Sequence, residues 1–77
     1  MADVEAPIGE QIRTARLKKR LSQRELGARL GVTANAVWRA ESGRRSFRQP
    51  RLELAARVLE TEFVVRPGDP AGGENGK

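Results

Sequence analysis

The chain contains neither cysteine nor histidine. No disulfide can staple the fold, and carboxylates alone rarely make a structural metal site, so no metal and no cofactor is expected. The usual nucleophile and proton shuttle are missing too, along with any glycine-rich phosphate loop or acid pair placed for proton transfer. An enzyme is therefore not expected; Glu60 and Glu62 read as the solvated face of a strand. No apolar run approaches the roughly eighteen residues of a membrane span, and Met1 to Pro7 lacks the charged-then-apolar layout of a signal peptide. The expectation is a cytoplasmic protein with no membrane partner and no small-molecule ligand.

What is present is basic charge, unevenly placed. The net charge of the 77 residues is +5. Between Arg13 and Arg51, however, twelve Lys or Arg residues stand against only Glu25 and Glu41, a net of +10, while the flanks are net acidic. Such a block inside a helical domain is the electrostatic footprint of a polyanion partner. The length allows one domain at most, with a compact part from about residue 8 to residue 66. A core this small needs tight helix packing or a partner subunit.

Residues 1–7 read as a flexible acidic arm, ended by Pro7, which favours a helix start just after it. Ile8, Ile12, Ala15 and Leu17 recur near helical spacing and mark a first helix. Ser22 followed by Glu25 reads as a capping box that opens a second. Leu26 and Leu30 form its buried stripe, and Gly31 ends it, because a left-handed backbone suits glycine. Thr33 caps a third helix after a turn of about three residues, with Ala36, Val37 and Ala40 inward and an end near Ser42 and Gly43. Residues 44–49 form a basic loop, anchored by Phe47. Pro50 then starts a fourth helix carrying Leu52, Leu54, Ala55, Val58 and Leu59. Thr61 to Arg66 is β-branched and aromatic and reads as a strand, which must pair with something, since a lone strand leaves its backbone groups unpaired. Residues 67–77 have the composition of a disordered tail. The fold class expected is all-α, with four or five helices and a short C-terminal strand.

Residues 22–43 meet the demands of a helix-turn-helix, in which one helix packs across another so that the second can lie in a major groove about 12 Å wide. Gly27 sits where a larger side chain would push the helices apart. Leu26, Leu30, Val32, Val37 and Ala40 fill the wedge between them.

In this register, with Gln23, Leu26, Gly27, Gly31, Val37, Glu41 and Gly43 in place and Arg16 upstream, residues 8–59 resemble the DNA-binding domain of the lambdoid phage repressor and Cro family. The resemblance implies a lambda-repressor-like domain that binds double-stranded DNA. It implies base reading by Thr33, Ala34, Asn35, Trp38 and Arg39, and phosphate contacts from Ser22, Gln23 and Arg24 and from the loop residues Arg44, Arg45, Arg48 and Arg51. Arg16 and Glu41 resemble a pair bridging the first helix to the end of the third. A guanidinium can hold Glu41, one of two acids in a basic stretch, with two hydrogen bonds. Asn35 suits adenine, Arg39 guanine and Ala34 a thymine methyl. Trp38 departs from the family, where this position is usually small or polar; its indole can lie along the groove wall against sugars or a thymine methyl, or bend back onto the basic loop or a partner chain.

One recognition helix reads few base pairs, so specific binding implies a homodimer on a palindrome with half-sites about 34 Å apart. The segment LETEFVVR resembles the C-terminal strand of HipB-type antitoxins, which implies dimerisation through Phe63, Val64 and Val65. Three functions fit: a repressor occupying a promoter, an antitoxin that also inhibits a protein toxin, and an interaction module that no longer binds DNA. The +10 block, Asn35 and Arg39 speak against the third.

Overall fold

The computed structural model of the protein describes residues 6–64. Four helices follow in order: α1 (Ile8–Lys18), α2 (Gln23–Leu30), α3 (Ala34–Glu41) and α4 (Gln49–Val58). Pro7 precedes α1 and its carbonyl accepts from the amides of Glu10 and Gln11. The Ser22 capping box is complete: its hydroxyl accepts from the Glu25 amide at 2.9 Å, and its own amide donates to the Glu25 carboxylate at 2.7 Å. Gly31 closes α2 at φ +77°. Thr33 opens α3 by accepting from the Ala36 amide at 3.1 Å, so only three residues separate the two helices.

The core is built from Ile8, Ile12 and Ala15 of α1, Leu26 and Leu30 of α2, Val37 and Ala40 of α3, Leu52 and Ala55 of α4, and Phe47 and Leu59 beside them. Buried Phe47 anchors the loop between α3 and α4 to this core. Val32, Leu54, Val58 and Phe63 are only partly buried against it. Two glycines set how closely the helices approach. A Cβ on Gly27 would lie 2.6 Å from the Val32 carbonyl oxygen, which is why α2 can cross so near the turn and the start of α3. Gly9 does the same for α1 against the end of α3, where a Cβ would meet the carbonyl oxygens of Ala40 and Glu41.

Three expectations change. Leu17 is exposed rather than part of the α1 stripe. It lies five residues beyond Ile12, about 140° around the helix, and the inward position next to it is taken by Arg16. Ala36, expected inward, is half-buried. The strand expected over residues 61–66 does not form among residues 61–64. Instead Val64 is held by the side chain of Gln11: its amide donates to Gln11 Oε1 at 2.8 Å, and its carbonyl accepts from Gln11 Nε2 at 2.7 Å. A primary amide supplies one donor and one acceptor, as a neighbouring strand would, so this backbone is satisfied without a ladder. The half-buried Phe63 packs on its own core. Val65 and Arg66, the tail of residues 67–77 and the first five residues of the N-terminal arm lie outside the described residues.

Two helix ends use left-handed residues other than glycine, Arg20 after α1 and Glu60 after α4. Each is followed by an amide that reaches back five residues, Leu21 to the Arg16 carbonyl and Thr61 to that of Ala56. This is the pattern in which a reversed backbone satisfies the last carbonyls of a helix. Lys19 and Glu60, one from each of these ends, form a salt bridge.

Candidate nucleic-acid interface

Helix α3 has two faces with opposite treatment of polar groups. On the inner face, Glu41 is buried between α1 and α2. Its Oε2 accepts from Arg16 Nε at 2.6 Å, and its Oε1 accepts from Arg16 Nη2 at 3.2 Å and from Gln23 Nε2 at 3.1 Å. Arg16 Nη1 donates in turn to the Leu21 carbonyl at 2.7 Å. One carboxylate thus ties the end of α3 to the last turn of α1 and the first residue of α2. Both of its oxygens are satisfied, the condition under which a buried ion pair fixes geometry rather than leaving an uncompensated charge.

On the outer face, Asn35, Trp38 and Arg39 are exposed and Ala34 is half-buried. Helical spacing sorts these into two rows, since residues four apart lie one above the other. Asn35 and Arg39 make a polar row, Ala34 and Trp38 an apolar one.

The loop after α3 folds back against this face. The amides of Arg44 and Arg45 donate to the Arg39 carbonyl at 2.9 and 3.3 Å, and Ser42 returns to the Trp38 carbonyl through both its amide and its hydroxyl. These bonds close the C-terminus of α3 and fix where the loop begins. The Arg44 guanidinium lies over the Trp38 ring, 5.2 Å from its centroid. The indole thus meets the basic loop through Arg44 while 44% of Trp38 stays exposed.

Of the residues assigned to DNA, Thr33, Asn35, Arg39, Arg45 and Arg48 come together around one open cleft, with Arg51 beside them. Its floor is apolar, made by Val32, Ala36, Phe47 and Pro50. Four arginines border it with no carboxylate in the lining, and none of the four is in a salt bridge among the described residues. Trp38 and Arg44 are not among the cleft residues. Ser22, Gln23 and Arg24 lie at the start of α2 and line no part of the cleft either. The hydroxyl oxygens of Ser22 and Thr33 already accept from the amides of their own helices. Gln23 has part of its amide engaged by Glu41. The Glu25 carboxyl is held below its ordinary range by the Ser22 amide and then by the Ser22 hydroxyl, so the capping box stays charged at neutral pH.

Sequence reasoning missed Gly9, the Leu21 carbonyl as second partner of Arg16, and Gln11. Gly9 meets the end of α3, a contact between distant segments that leaves no local pattern, and the Leu21 carbonyl lies five residues beyond Arg16. Gln11 meets a residue 53 positions away.

A short turn, a close crossing at Gly27 and an exposed second helix are the geometry of a helix-turn-helix, and the helix-turn-helix domain family matches residues 7–66. The chain belongs to this family. The match reaches the broad family rather than the phage-repressor or HipB-type groups within it. The chain is also 38% identical over 60 residues to an uncharacterized HTH-type transcriptional regulator of Sinorhizobium fredii (strain NBRC 101917 / NGR234). That alignment covers 78% of this chain and 31% of the relative, so the chain spans about a third of that protein's length. No solved structure matches the chain. Within this domain, α2 and α3 are the two helices joined by the short turn. Among the described residues no helix is long and apolar enough to cross a membrane.

Proposed function

We propose that the protein is a sequence-specific DNA-binding transcriptional regulator, a repressor that occupies a palindromic operator as a homodimer, with residues 33–41 in the major groove. The observation that carries this reading is the contrast across α3. Its inner face is clamped by Arg16, Gln23 and Glu41, and its outer face offers Asn35 and Arg39 beside three further arginines, Arg45, Arg48 and Arg51, without carboxylate partners. Phosphate contacts position a protein on a duplex, and base-edge contacts give it a sequence. Arg45, Arg48 and Arg51 suit the first task, Asn35 and Arg39 the second. The name of the Sinorhizobium relative agrees with a role in transcription. The protein acts by binding, in the cytoplasm, with no catalytic step.

Dimerisation in this reading uses residues 61–66, of which Val64 is exposed and Phe63 is half-buried. A second reading, an antitoxin that represses its own operon, is favoured by the same segment: Val64 stays exposed although its backbone is fixed. A protein toxin that copurifies with the chain distinguishes it from an autonomous repressor.

Selection of bound sequences from a random duplex pool tests the main reading. A palindromic consensus is the expected result. With six to eight phosphate contacts per dimer, log K should fall against log salt with a slope of roughly −5 to −7. No enriched sequence together with a flat salt dependence would overturn it.

A further inference from the structure

Trp38 is the chain's one tryptophan and is 44% exposed on the face of α3 that carries Asn35 and Arg39. Large aromatic side chains are normally drawn into cores or interfaces, so an indole left half in water on an otherwise polar face marks a contact surface. It does not lie loose. Arg44 covers it with its guanidinium, and the Arg44 backbone is held by the hydrogen bond its amide donates to the Arg39 carbonyl. The stack therefore joins two points of the same helix end. It limits the rotation of an indole that would otherwise be free. The neighbour of Trp38 along its row, four residues earlier, is Ala34, so this edge of α3 is apolar and small at one end, apolar and broad at the other.

Of the groups that face the major groove, one is apolar, the C5-methyl of thymine. We propose that Trp38, oriented by Arg44, reads thymine methyl groups on DNA, so that the Ala34 and Trp38 row recognises methyls while the Asn35 and Arg39 row recognises hydrogen-bonding edges. This rests on the DNA-binding reading above. It assigns Arg44 to positioning the indole and leaves the phosphate contacts to Arg45, Arg48 and Arg51, which border the cleft that Arg44 does not.

The test uses the full chain and a duplex selected from the random pool, with each thymine replaced in turn by deoxyuridine, which lacks only the methyl. Burying one methyl corresponds to about a fourfold change in affinity. Loss of about that size is expected at one or two positions with the unaltered protein. It should vanish in Trp38→Ala, be kept largely in Trp38→Phe, and shrink in Arg44→Ala with the salt slope unchanged. Trp38 and Arg44 are exposed, and melting curves of the variants verify that each is folded. Equal affinity for every deoxyuridine duplex, with Trp38→Ala weakening all sequences alike, would overturn methyl reading and make Trp38 a contact to the sugar wall. A salt slope lower by about one in Arg44→Ala would overturn the assignment of Arg44. Failure to bind any selected duplex would overturn the DNA reading itself, a result distinct from both.

Discussion

The two faces of α3 are eight residues of one helix, yet they solve opposite problems. Inside, Val37 and Ala40 are packed, and the one charged group, Glu41, spends both oxygens on Arg16 and Gln23. Outside, Asn35 and Arg39 make no side-chain hydrogen bond among the described residues, and Trp38 lies under the Arg44 guanidinium. Buried polar groups that are satisfied hold a helix in place; exposed ones are solvated and open to a partner. A helix that must place side chains against base edges needs both, since a loosely held helix would blur whatever its outer face reads.

Substitution at Glu41 separates the faces most sharply. In Glu41→Ala the Arg16 guanidinium stays buried with only the Leu21 carbonyl as partner, which should cost about 3–5 kcal/mol. For a domain of this size the melting temperature should fall by on the order of 15 °C or more. Arg39→Ala, on the same helix, should leave it within about 0.5 kcal/mol of the parent while weakening selective DNA binding. An unchanged melting temperature in Glu41→Ala would mean that the inner clamp holds nothing. Replacing both Arg16 and Glu41 by Met should recover much of the loss, because the charge left unpaired is then gone.

Gly9 tests the same inner face through packing rather than charge. Alanine favours a helix interior over glycine by roughly 0.5–1 kcal/mol, so Gly9→Ala on an open helix would raise stability. Here the new methyl would meet the backbone of Ala40 and Glu41, with the Glu41 carbonyl oxygen at 2.7 Å. Backbone cannot step aside as a side chain can, and a net loss of about 1–3 kcal/mol is expected in thermal denaturation. A gain would show that α1 and α3 are not in such close contact.

The outcome for each element follows from how local its cause is. The capping box at Ser22, the Thr33 cap and the left-handed Gly31 were legible because each is settled by residues within one turn. The helix-turn-helix register was legible because its apolar spacing is local to twenty residues. Arg20 and Glu60 take left-handed backbones that glycine would have announced and these residues do not. Leu17 read as core by composition, yet its place was given to Arg16 for the sake of a carboxylate 25 residues away. The β-branched segment after Leu59 read as a strand because composition suggests one, while the group that satisfies Val64 sits on α1. The stack of Arg44 on Trp38 depends on how the loop returns to α3, which no residue pattern specifies.

The smallest expected effect lies at the start of α2, between the two faces. Glu25 is fully exposed, yet its carboxyl is held below the ordinary value by accepting from the Ser22 amide and hydroxyl. A carboxylate lowered on folding adds stability above its unfolded pKa and loses it as pH falls through the folded value. The contribution of the capping box should therefore be present in full at neutral pH and decline only below about pH 4.5, the ordinary glutamate value. Melting temperature followed from pH 7 to pH 3 should fall more steeply in the parent than in Glu25→Gln, whose side chain keeps an acceptor but cannot titrate. Glu60, lowered by Lys19, adds to the same acid limb, so the steepness is reduced rather than abolished. Parallel curves for parent and variant would mean that the charge on Glu25 contributes nothing to holding α2, and that the inner clamp at Gln23 positions that helix alone.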